Sequence, residues 1–229
     1  FLILRFTATL FNFISNPKLT SSPREYDDLV SILIPARDEE KNILSLLQSI
    51  RDQDYHNFEV VVLDDHSSDQ TFSLCETFAR SDRRFRVVSG IPLPKDWLGK
   101  NFACHQLAEE SKGKYLMFLD ADETIADGLI NNTVHRMKFY RLDLLSLFTN
   151  QIMVTWGERM IVPLMHFILL NLLPLRLVRL SKSPAFSAAS GQFMLFNAEN
   201  YKENQWHKQV RNKVVEDIEI MRSIKAAGY

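Results

Sequence analysis

Apolar runs of strand length alternate with amphipathic segments through the first half of the chain. Four such runs, rich in β-branched and aromatic residues, predict strands buried on both faces: 29–35, 58–63, 85–88 and 115–119. Between the runs, apolar residues recur three and four positions apart, which predicts helices. This alternation indicates an α/β fold with a mostly parallel, Rossmann-like sheet flanked by helices. Ligands of such sheets bind beyond the carboxyl ends of the strands.

The first 28 residues differ in character from the rest of the chain. Residues 1–14 are mostly apolar and aromatic and carry Arg5, but a helix that spans a membrane needs about 20 apolar residues. We interpret them as the end of an anchor, followed by a linker rich in Pro, Ser and charge that extends to residue 28. One folded domain is predicted over 29–229. Because the chain stops inside a predicted helix, we expect this domain to be truncated at its C-terminal end.

A long uncharged and mostly apolar stretch covers residues 160–175. As a helix it would extend about 24 Å, less than the roughly 30 Å hydrocarbon core of a bilayer. Arg176 and Arg179 follow directly. One interpretation is a segment over 160–180 that lies in the membrane interface, with the arginines at the level of the headgroups. The alternative is a helix buried in the protein core.

Composition restricts the partners that the chain can have. Hydrophobic residues make up 46% and charged residues 24% of the sequence, the balance of a globular domain. With 27 basic and 28 acidic side chains the formal net charge is −1, so nucleic acid is not expected as a partner. Cys75 and Cys104 form no CxxC motif, and so few cysteines fit a reducing compartment.

Two acidic pairs follow predicted strands. Asp64 and Asp65 come directly after the second run, and Asp120 and Asp122 come after the fourth. Since parallel strands end at the same edge of a sheet, we expect the pairs to lie close together. Carboxylate oxygens suit Mg²⁺ or Mn²⁺ shared with substrate phosphates. Alternatively, acidic residues at these positions only cap the following helices.

The sequence lacks several other catalytic motifs. No GxGxxG follows the first run, and Gly99-Lys100-Asn101 lacks the remaining residues of a Walker A loop. There is no GxSxG elbow, and no two histidines have HExxH spacing. Dinucleotide-dependent oxidation, P-loop chemistry, serine hydrolysis and zinc hydrolysis are therefore not supported.

Six segments carry a resemblance to a known family. In chain order they are PARDEE at 35–40, DDHSSDQT at 64–71, DWLGKNFA at 96–103, FLDADE at 118–123, SGQFMLF at 190–196 and VVEDIE at 214–219. Together they resemble the family 2 glycosyltransferases, which have the GT-A fold. Within that family the chain is most similar to membrane-associated bacterial enzymes that glucosylate carotenoid acids, and next to hopanoid-associated glycosyltransferases.

The resemblance implies a site for a nucleotide sugar, with a UDP-hexose as the expected donor. It implies that four residues after the first strand border the nucleotide: Pro35, Ala36, Arg37 and Glu39. It also implies that Asp65 hydrogen-bonds the uracil ring. Asp38 stands where such enzymes commonly have asparagine.

The resemblance further implies how the diphosphate and the sugar are held. Asp122 would bind Mg²⁺ or Mn²⁺ on the diphosphate, and Asp120 would face the ribose or the sugar. Lys100 would contact the donor; the alternative is that it is a solvated surface lysine. Gly191 and Gln192 would lie near the donor sugar and the acceptor.

The resemblance assigns the general base to Asp217, in the Glu216-Asp217 pair. Such a carboxylate removes the proton of the acceptor hydroxyl on the face of the sugar opposite the leaving group, which gives inversion and contributes about 10²–10⁴ in rate. The alternative is that the pair only favours the N-terminus of a helix.

The predicted function is therefore metal-dependent, inverting transfer of a hexose from a UDP-sugar to a lipid-like acceptor, such as a carotenoid acid or a polyisoprenoid. The predicted place is the cytoplasmic face of the cell membrane. Two rival functions use the same residues: a nucleotidyltransferase with the same metal carboxylates, and an inactive membrane-attached binding module.

Overall fold

A six-stranded sheet forms the centre of the molecule. The computed structural model describes residues 2–15 and 18–229; Phe1, Asn16 and Pro17 of the predicted N-terminal segment and linker lie outside the described residues. The strands are β1 (Val30–Ala36), β2 (Phe58–Asp64), β3 (Phe85–Ser89), β4 (Tyr115–Leu119), β5 (Leu144–Ser146) and β6 (Phe193–Asn197). The four strands predicted from apolar runs are confirmed to within one residue at each end.

Helices connect the strands and cover the sheet. They are α1 (Leu2–Ser15), α2 (Ile43–Arg51), α3 (Thr71–Ser81), α4 (Gly99–Glu110), α5 (Leu129–Tyr140), α6 (Trp156–Leu172), α7 (Leu175–Leu180), α8 (Ala198–Asn204), α9 (Trp206–Gln209) and α10 (Glu216–Ala226). Within the described ranges, no helix combines the length and the apolar character needed to cross a membrane.

The strand order is β3-β2-β1-β4-β6-β5, and the first four strands along the chain run parallel. The predicted α/β class with a mostly parallel sheet is confirmed. The exception is β6, which lies antiparallel to both β4 and β5. Because of this reversal, the segment before β6 lies at the edge where β4 ends.

Separate hydrophobic cores occupy the two faces of the sheet. On one face α2, α3 and α5 bury residues such as Leu47 and Val134. On the other face α4, α8, α9 and α10 bury residues such as Leu107, Trp206 and Ile224. Burial on both faces explains why the strands are continuous apolar runs rather than alternating ones.

The N-terminal helix α1 packs against α6 and α7. At their contact lies Asn12, whose Nδ2 donates to Leu170 O (2.9 Å) and Leu173 O (2.8 Å) and whose Oδ1 accepts from Leu175 N (2.7 Å). Pro174 ends α6, and the last carbonyls of a helix have no partner within it. Asn12 satisfies two carbonyls at this end, so the predicted anchor segment is part of a two-helix unit. We call α1 and α6 the apolar helix pair.

The outer surface of the apolar helix pair is hydrophobic. Phe167 and Leu164 on α6 are 60% and 54% exposed, and Phe13 on α1 is 84% exposed. These exposures contradict the alternative that residues 160–175 form a buried core helix.

A close approach at the start of β4 generates a stability prediction. Gly113 N donates to Ser31 Oγ at 2.7 Å, and an added Cβ would lie 2.5 Å from Ser31 N and 2.9 Å from Tyr115 O. We expect Gly113→Ala to lower the free energy of unfolding by about 1–3 kcal/mol, because backbone atoms of two strands must shift. Urea denaturation measures the change. The control Gly157→Ala, where an added Cβ meets nothing within 4 Å, should not lower it; equal midpoints for the two variants would contradict the prediction.

Candidate active site

Loops that carry four of the motif segments converge at one edge of the sheet. Because β1, β2 and β4 run parallel, the loops that begin at Arg37, Asp65 and Asp120 lie side by side. The antiparallel β6 brings its preceding loop to the same edge, where Asp120 N donates to Gln192 O at 3.2 Å. The two acidic pairs therefore share this edge, as predicted.

The Lys100 ammonium joins two elements of the site. Lys100 lies in the first turn of α4, and its Nζ is 2.7 Å from Asp120 Oδ1 and 3.5 Å from Glu216 Oε1. Burial disfavours the charge on Lys100, but the Asp120 and Glu216 carboxylates more than offset this effect and raise the pKa of Lys100 above its usual value. Lys100 therefore stays protonated and connects the end of β4 to the start of α10.

The Asp217 carboxylate, at the start of α10, accepts hydrogen bonds from two backbone N–H groups. One belongs to the loop before β6 and the other to α10 itself. Its Oδ2 accepts from Gly191 N at 2.9 Å, and its Oδ1 accepts from Ile218 N at 2.7 Å. A Cβ on Gly191 would lie 3.1 Å from Glu216 Oε1 and 3.4 Å from Lys100 Nζ, so a glycine permits this close approach. Each oxygen of Asp217 keeps a further lone pair that can accept a proton.

Negative charge accumulates beside Lys100. Burial raises the pKa of Asp120, Lys100 opposes this shift, and the neighbouring carboxylates of Asp122 and Asp217 add to it, so the pKa lies above its usual value. Burial also raises the pKa of Glu123, together with the nearby Asp122 and Asp120. Mutual repulsion of this kind is relieved by a bound cation.

Asp122 is exposed, and it forms no hydrogen bond or ion pair with any described residue. Its oxygen atoms are therefore open to a hard cation such as Mg²⁺ or Mn²⁺, which fits the excess of carboxylates around it. No three Asp, Glu, His or Cys side chains in residues 2–15 and 18–229 are grouped as a ready-made metal site. Asp120 is already paired with Lys100. The protein thus offers one free carboxylate rather than a complete set of ligands.

Asp65 lies between the first loop and the start of α4. The Arg37 guanidinium is 3.7 Å from Asp65 Oδ2, and His66 Nδ1 is 3.5 Å from Asp65 Oδ1. A Cβ on Gly99 would lie 3.4 Å from Asp65 Oδ2. Gly99 is next to Lys100 in the chain, and Lys100 contacts Asp120. Asp65 and Asp120 therefore lie on neighbouring sides of the same site.

The other residues predicted to border the nucleotide contribute mainly backbone or local contacts. Ala36 is buried, and its carbonyl accepts from Asp65 N at 2.8 Å, while Pro35 lies half-buried within β1. The Glu39 carboxylate accepts from Asn42 Nδ2 at 2.9 Å, at the start of α2. The structure therefore does not bring these three residues into contact with Lys100 and its partners Asp120 and Glu216.

Asp38 fixes the first loop to the second. It adopts a left-handed backbone conformation with φ of 55°, and its Oδ1 accepts from Ser68 N (2.7 Å) and Ser68 Oγ (3.0 Å). An asparagine at this position could accept the same bonds through its carbonyl oxygen. Asp38 therefore shapes the loop and leaves Arg37 exposed beside Asp65.

Thr149 and Gln151, which belong to none of the six motif segments, donate hydrogen bonds to the side chain of Gln192. Its Oε1 accepts from Thr149 Oγ1 at 2.9 Å and from Gln151 Nε2 at 3.1 Å. Both follow the short strand β5, and no spacing or composition in the sequence indicates their role. They fix the Gln192 side chain at the edge of the site.

Comparison with known proteins places this geometry in a family. The sequence profile described as "Glycosyl transferase family 2" matches residues 31–204. The 4,4'-diaponeurosporenoate glycosyltransferase of Staphylococcus haemolyticus is 26% identical over 203 residues, which cover 86% of this chain and 51% of that protein.

Two solved structures have the same fold. The mannosyltransferase PcManGT from Pyrobaculum calidifontis, in complex with GDP-Man and Mn²⁺, gives a TM-score of 0.61 at 20% identity and covers 88% of this chain and 56% of its own. TarS 1-349 from S. aureus, in complex with UDP, gives 0.57 at 19% identity and covers 84% and 53%. The predicted GT-A fold is thereby confirmed. The chain spans about half the length of these three proteins. Because the family profile covers most of the chain, the resemblance seen in its motifs is confirmed: the chain belongs to glycosyl transferase family 2.

Proposed function

We propose that this domain transfers a hexose from a UDP-sugar to a lipid-like acceptor at the cytoplasmic face of a membrane, with inversion at the anomeric carbon. The observation that carries the proposal is the cluster around Lys100. There Asp120, Gly191 and Asp217 meet at one sheet edge, beside the exposed Asp122 carboxylate. This cluster combines an open metal ligand with an oriented base, the two groups that a metal-dependent, inverting transfer uses.

In this proposal the nucleotide lies over the first two loops. Asp65 accepts a hydrogen bond from the uracil ring, while the neighbouring Arg37 offers a cation that can approach the nucleotide. TarS binds UDP and PcManGT binds GDP-Man, which supports a nucleotide-sugar donor. The choice of UDP follows from the family resemblance.

The diphosphate lies at the end of β4, where Asp122 holds Mg²⁺ or Mn²⁺. When bound, the cation supplies positive charge that stabilises the departing diphosphate. The Mn²⁺ in the PcManGT complex supports this assignment. Lys100 neutralises Asp120, so that this second carboxylate can face the ribose or the sugar without adding to the local repulsion.

Asp217 acts as the general base for the acceptor hydroxyl. The Gly191 N–H fixes the direction of the carboxylate, and the remaining lone pairs can take the proton. A base on the face of the sugar opposite the leaving group produces direct displacement. Gly191 and Gln192 then lie between donor sugar and acceptor.

In this proposal the apolar helix pair binds the domain to the surface of a lipid bilayer. Residues 2–15 and 152–182 carry five basic side chains and one acidic one, whereas the whole chain has a net charge of −1. An exposed apolar surface with a basic surround matches an anionic bilayer surface. The relative from Staphylococcus haemolyticus is named for a 4,4'-diaponeurosporenoate substrate, which supports an apolar acceptor.

The direct test is a donor screen read by mass spectrometry. Given a panel of nucleotide sugars and bacterial membrane lipid extract, the protein should convert one UDP-hexose into UDP and a glycosylated lipid.

Asp217→Asn should lower turnover by about 10²–10⁴-fold with unchanged UDP affinity, because the amide cannot take a proton. Glu219→Gln, in the same turn of α10 and paired with Arg222, should keep full turnover. Pyrophosphate release from a nucleoside triphosphate, with no glycosylated lipid, would favour nucleotidyl transfer instead.

A second prediction concerns the metal. Asp122→Ala should lower turnover by about 100-fold or more and weaken Mn²⁺ binding in calorimetry with UDP present, because the cation contributes several kcal/mol of charge stabilisation. Asp127→Ala removes an exposed acid from the same loop and should change neither quantity. Undiminished turnover of the wild-type protein in excess EDTA would contradict the metal assignment.

A third prediction concerns the lipid surface. Replacing Leu164, Phe167 and Ile168 together by serine should weaken binding to phosphatidylglycerol vesicles more than about 100-fold, since each apolar side chain contributes roughly 1.5 kcal/mol. The melting temperature and UDP affinity should stay unchanged, because these side chains are exposed. Leu44→Ser, at an exposed apolar position on α2, is the control. Unfolding of the triple variant with vesicle binding intact would refute the assignment.

A further inference from the structure

The segment that follows α7 is bonded to α10, the helix that carries Asp217. After α7 the chain crosses residues 181–189 before it enters the site. The Lys225 ammonium, in the last turn of α10, donates to Ser181 O at 2.8 Å and to Phe186 O at 2.7 Å. One side chain thus holds the connection from α7 against α10 at two points, Ser181 and Phe186.

Burying the Lys225 ammonium costs free energy, which a position that only fills space would not require. The residue is 7% exposed, and its two partners are neutral carbonyls. Burial lowers the pKa of Lys225, which reflects the unfavourable transfer of an ammonium from water. An apolar side chain would avoid that penalty. What lysine adds is a pair of directed hydrogen bonds between α10 and the segment 181–186.

The other end of α10 lies in the site. Glu216 contacts Lys100, and Asp217 accepts from Gly191 N. Eight helical positions separate Asp217 from Lys225, a distance of about 12 Å along the axis. Since α10 is one continuous helix, a shift imposed at Lys225 reaches Asp217.

Packing supports the same connection. Val178 of α7 contacts the core cluster that contains Ile220 and Ile224 of α10. At the front of the helix, Asn101 Nδ2 donates to Val210 O (2.9 Å) and Lys213 O (3.1 Å), which fixes the loop before α10. The helix is thus held by α4 at one end and by the connection from the apolar helix pair at the other.

We infer that Lys225 is a positioning residue, which couples the seating of the apolar helix pair on an anionic lipid surface to the placement of the Asp217 base. This inference rests on the proposed function. When α6 and α7 are fixed by lipid, the segment 181–186 is fixed with them, and Lys225 holds α10 in the position where Asp217 meets Gly191.

Hydrogen exchange on the full chain tests the coupling without requiring turnover. Phosphatidylglycerol vesicles should slow amide exchange in the apolar helix pair and also, by about five-fold or more, in residues 216–226. In Lys225→Met, protection of the helix pair should remain while the slowing in 216–226 is lost. Lys225→Arg, which keeps several donors, should restore it. Lys202→Met is the matched control, because Lys202 also donates to a backbone carbonyl, Ser111 O, but lies outside α10.

Turnover gives a second readout. With vesicles of bacterial lipid extract, Lys225→Met should lose the lipid-stimulated part of kcat, with KM for the UDP-sugar unchanged. Lys225→Arg and Lys202→Met should retain both constants. A melting temperature recorded for each variant identifies a general loss of structure.

The outcomes separate the two hypotheses. Wild-type protein that binds vesicles without slowed exchange in 216–226, or Lys225→Met with the wild-type response, overturns the inference and leaves the proposed function standing. A wild-type protein that neither binds vesicles nor transfers sugar overturns both. Equal losses in Lys225→Met and Lys225→Arg at unchanged melting temperature would also overturn the inference.

Discussion

Repulsion among carboxylates at one sheet edge is the constraint around which the site is organised. Asp120 lies within reach of the charges of Asp122 and Asp217, which add to the effect of burial on its pKa. The Lys100 ammonium opposes this repulsion and also contacts Glu216. Three segments that are distant in sequence are thus held together by one cation. Asp122 is left exposed, so the site keeps one free acidic ligand for a divalent ion.

Local patterns predicted the parts of this fold that depend on neighbouring residues. The four parallel strands and their connecting helices follow from apolar runs and helical spacing, because burial on both faces leaves a clear mark on a sequence. The reversal of β6 leaves no such mark, since an apolar run has no direction. The three residues of β5 are too few to show a period. The contact of α1 with α6 depends on residues that lie 158 positions apart, as in the bond from the Asn12 side chain to the backbone carbonyl of Leu170.

The site shows the same division. Acidic residues after buried strands indicated which side chains could share an edge, and the structure brings Asp120, Lys100, Gly191 and Asp217 together. Their pairings could not be predicted, because the partner of a charged side chain depends on tertiary contacts. Glu39, for example, accepts from Asn42 Nδ2 just before α2 begins. Asn12, Asn101 and Lys225 show a related feature: each donates to backbone carbonyls where regular structure ends. Such bonds fix the arrangement of segments more than they add stability.

The packing of α1 against α6 has a consequence during synthesis on the ribosome. Asn12 leaves the ribosome long before Leu170, and at about 5–20 residues per second the delay is roughly 8 to 30 s. In that interval residues 30–119 can already pair their four parallel strands, while the apolar face of α1 still lacks its protein partner. A nascent chain with this order exposes a hydrophobic helix while the sheet forms, and a chaperone or a nearby bilayer can bind it. Helix α1 is thus made before the sheet but reaches its contacts with α6 only after the sheet strands β1 to β4 have been made.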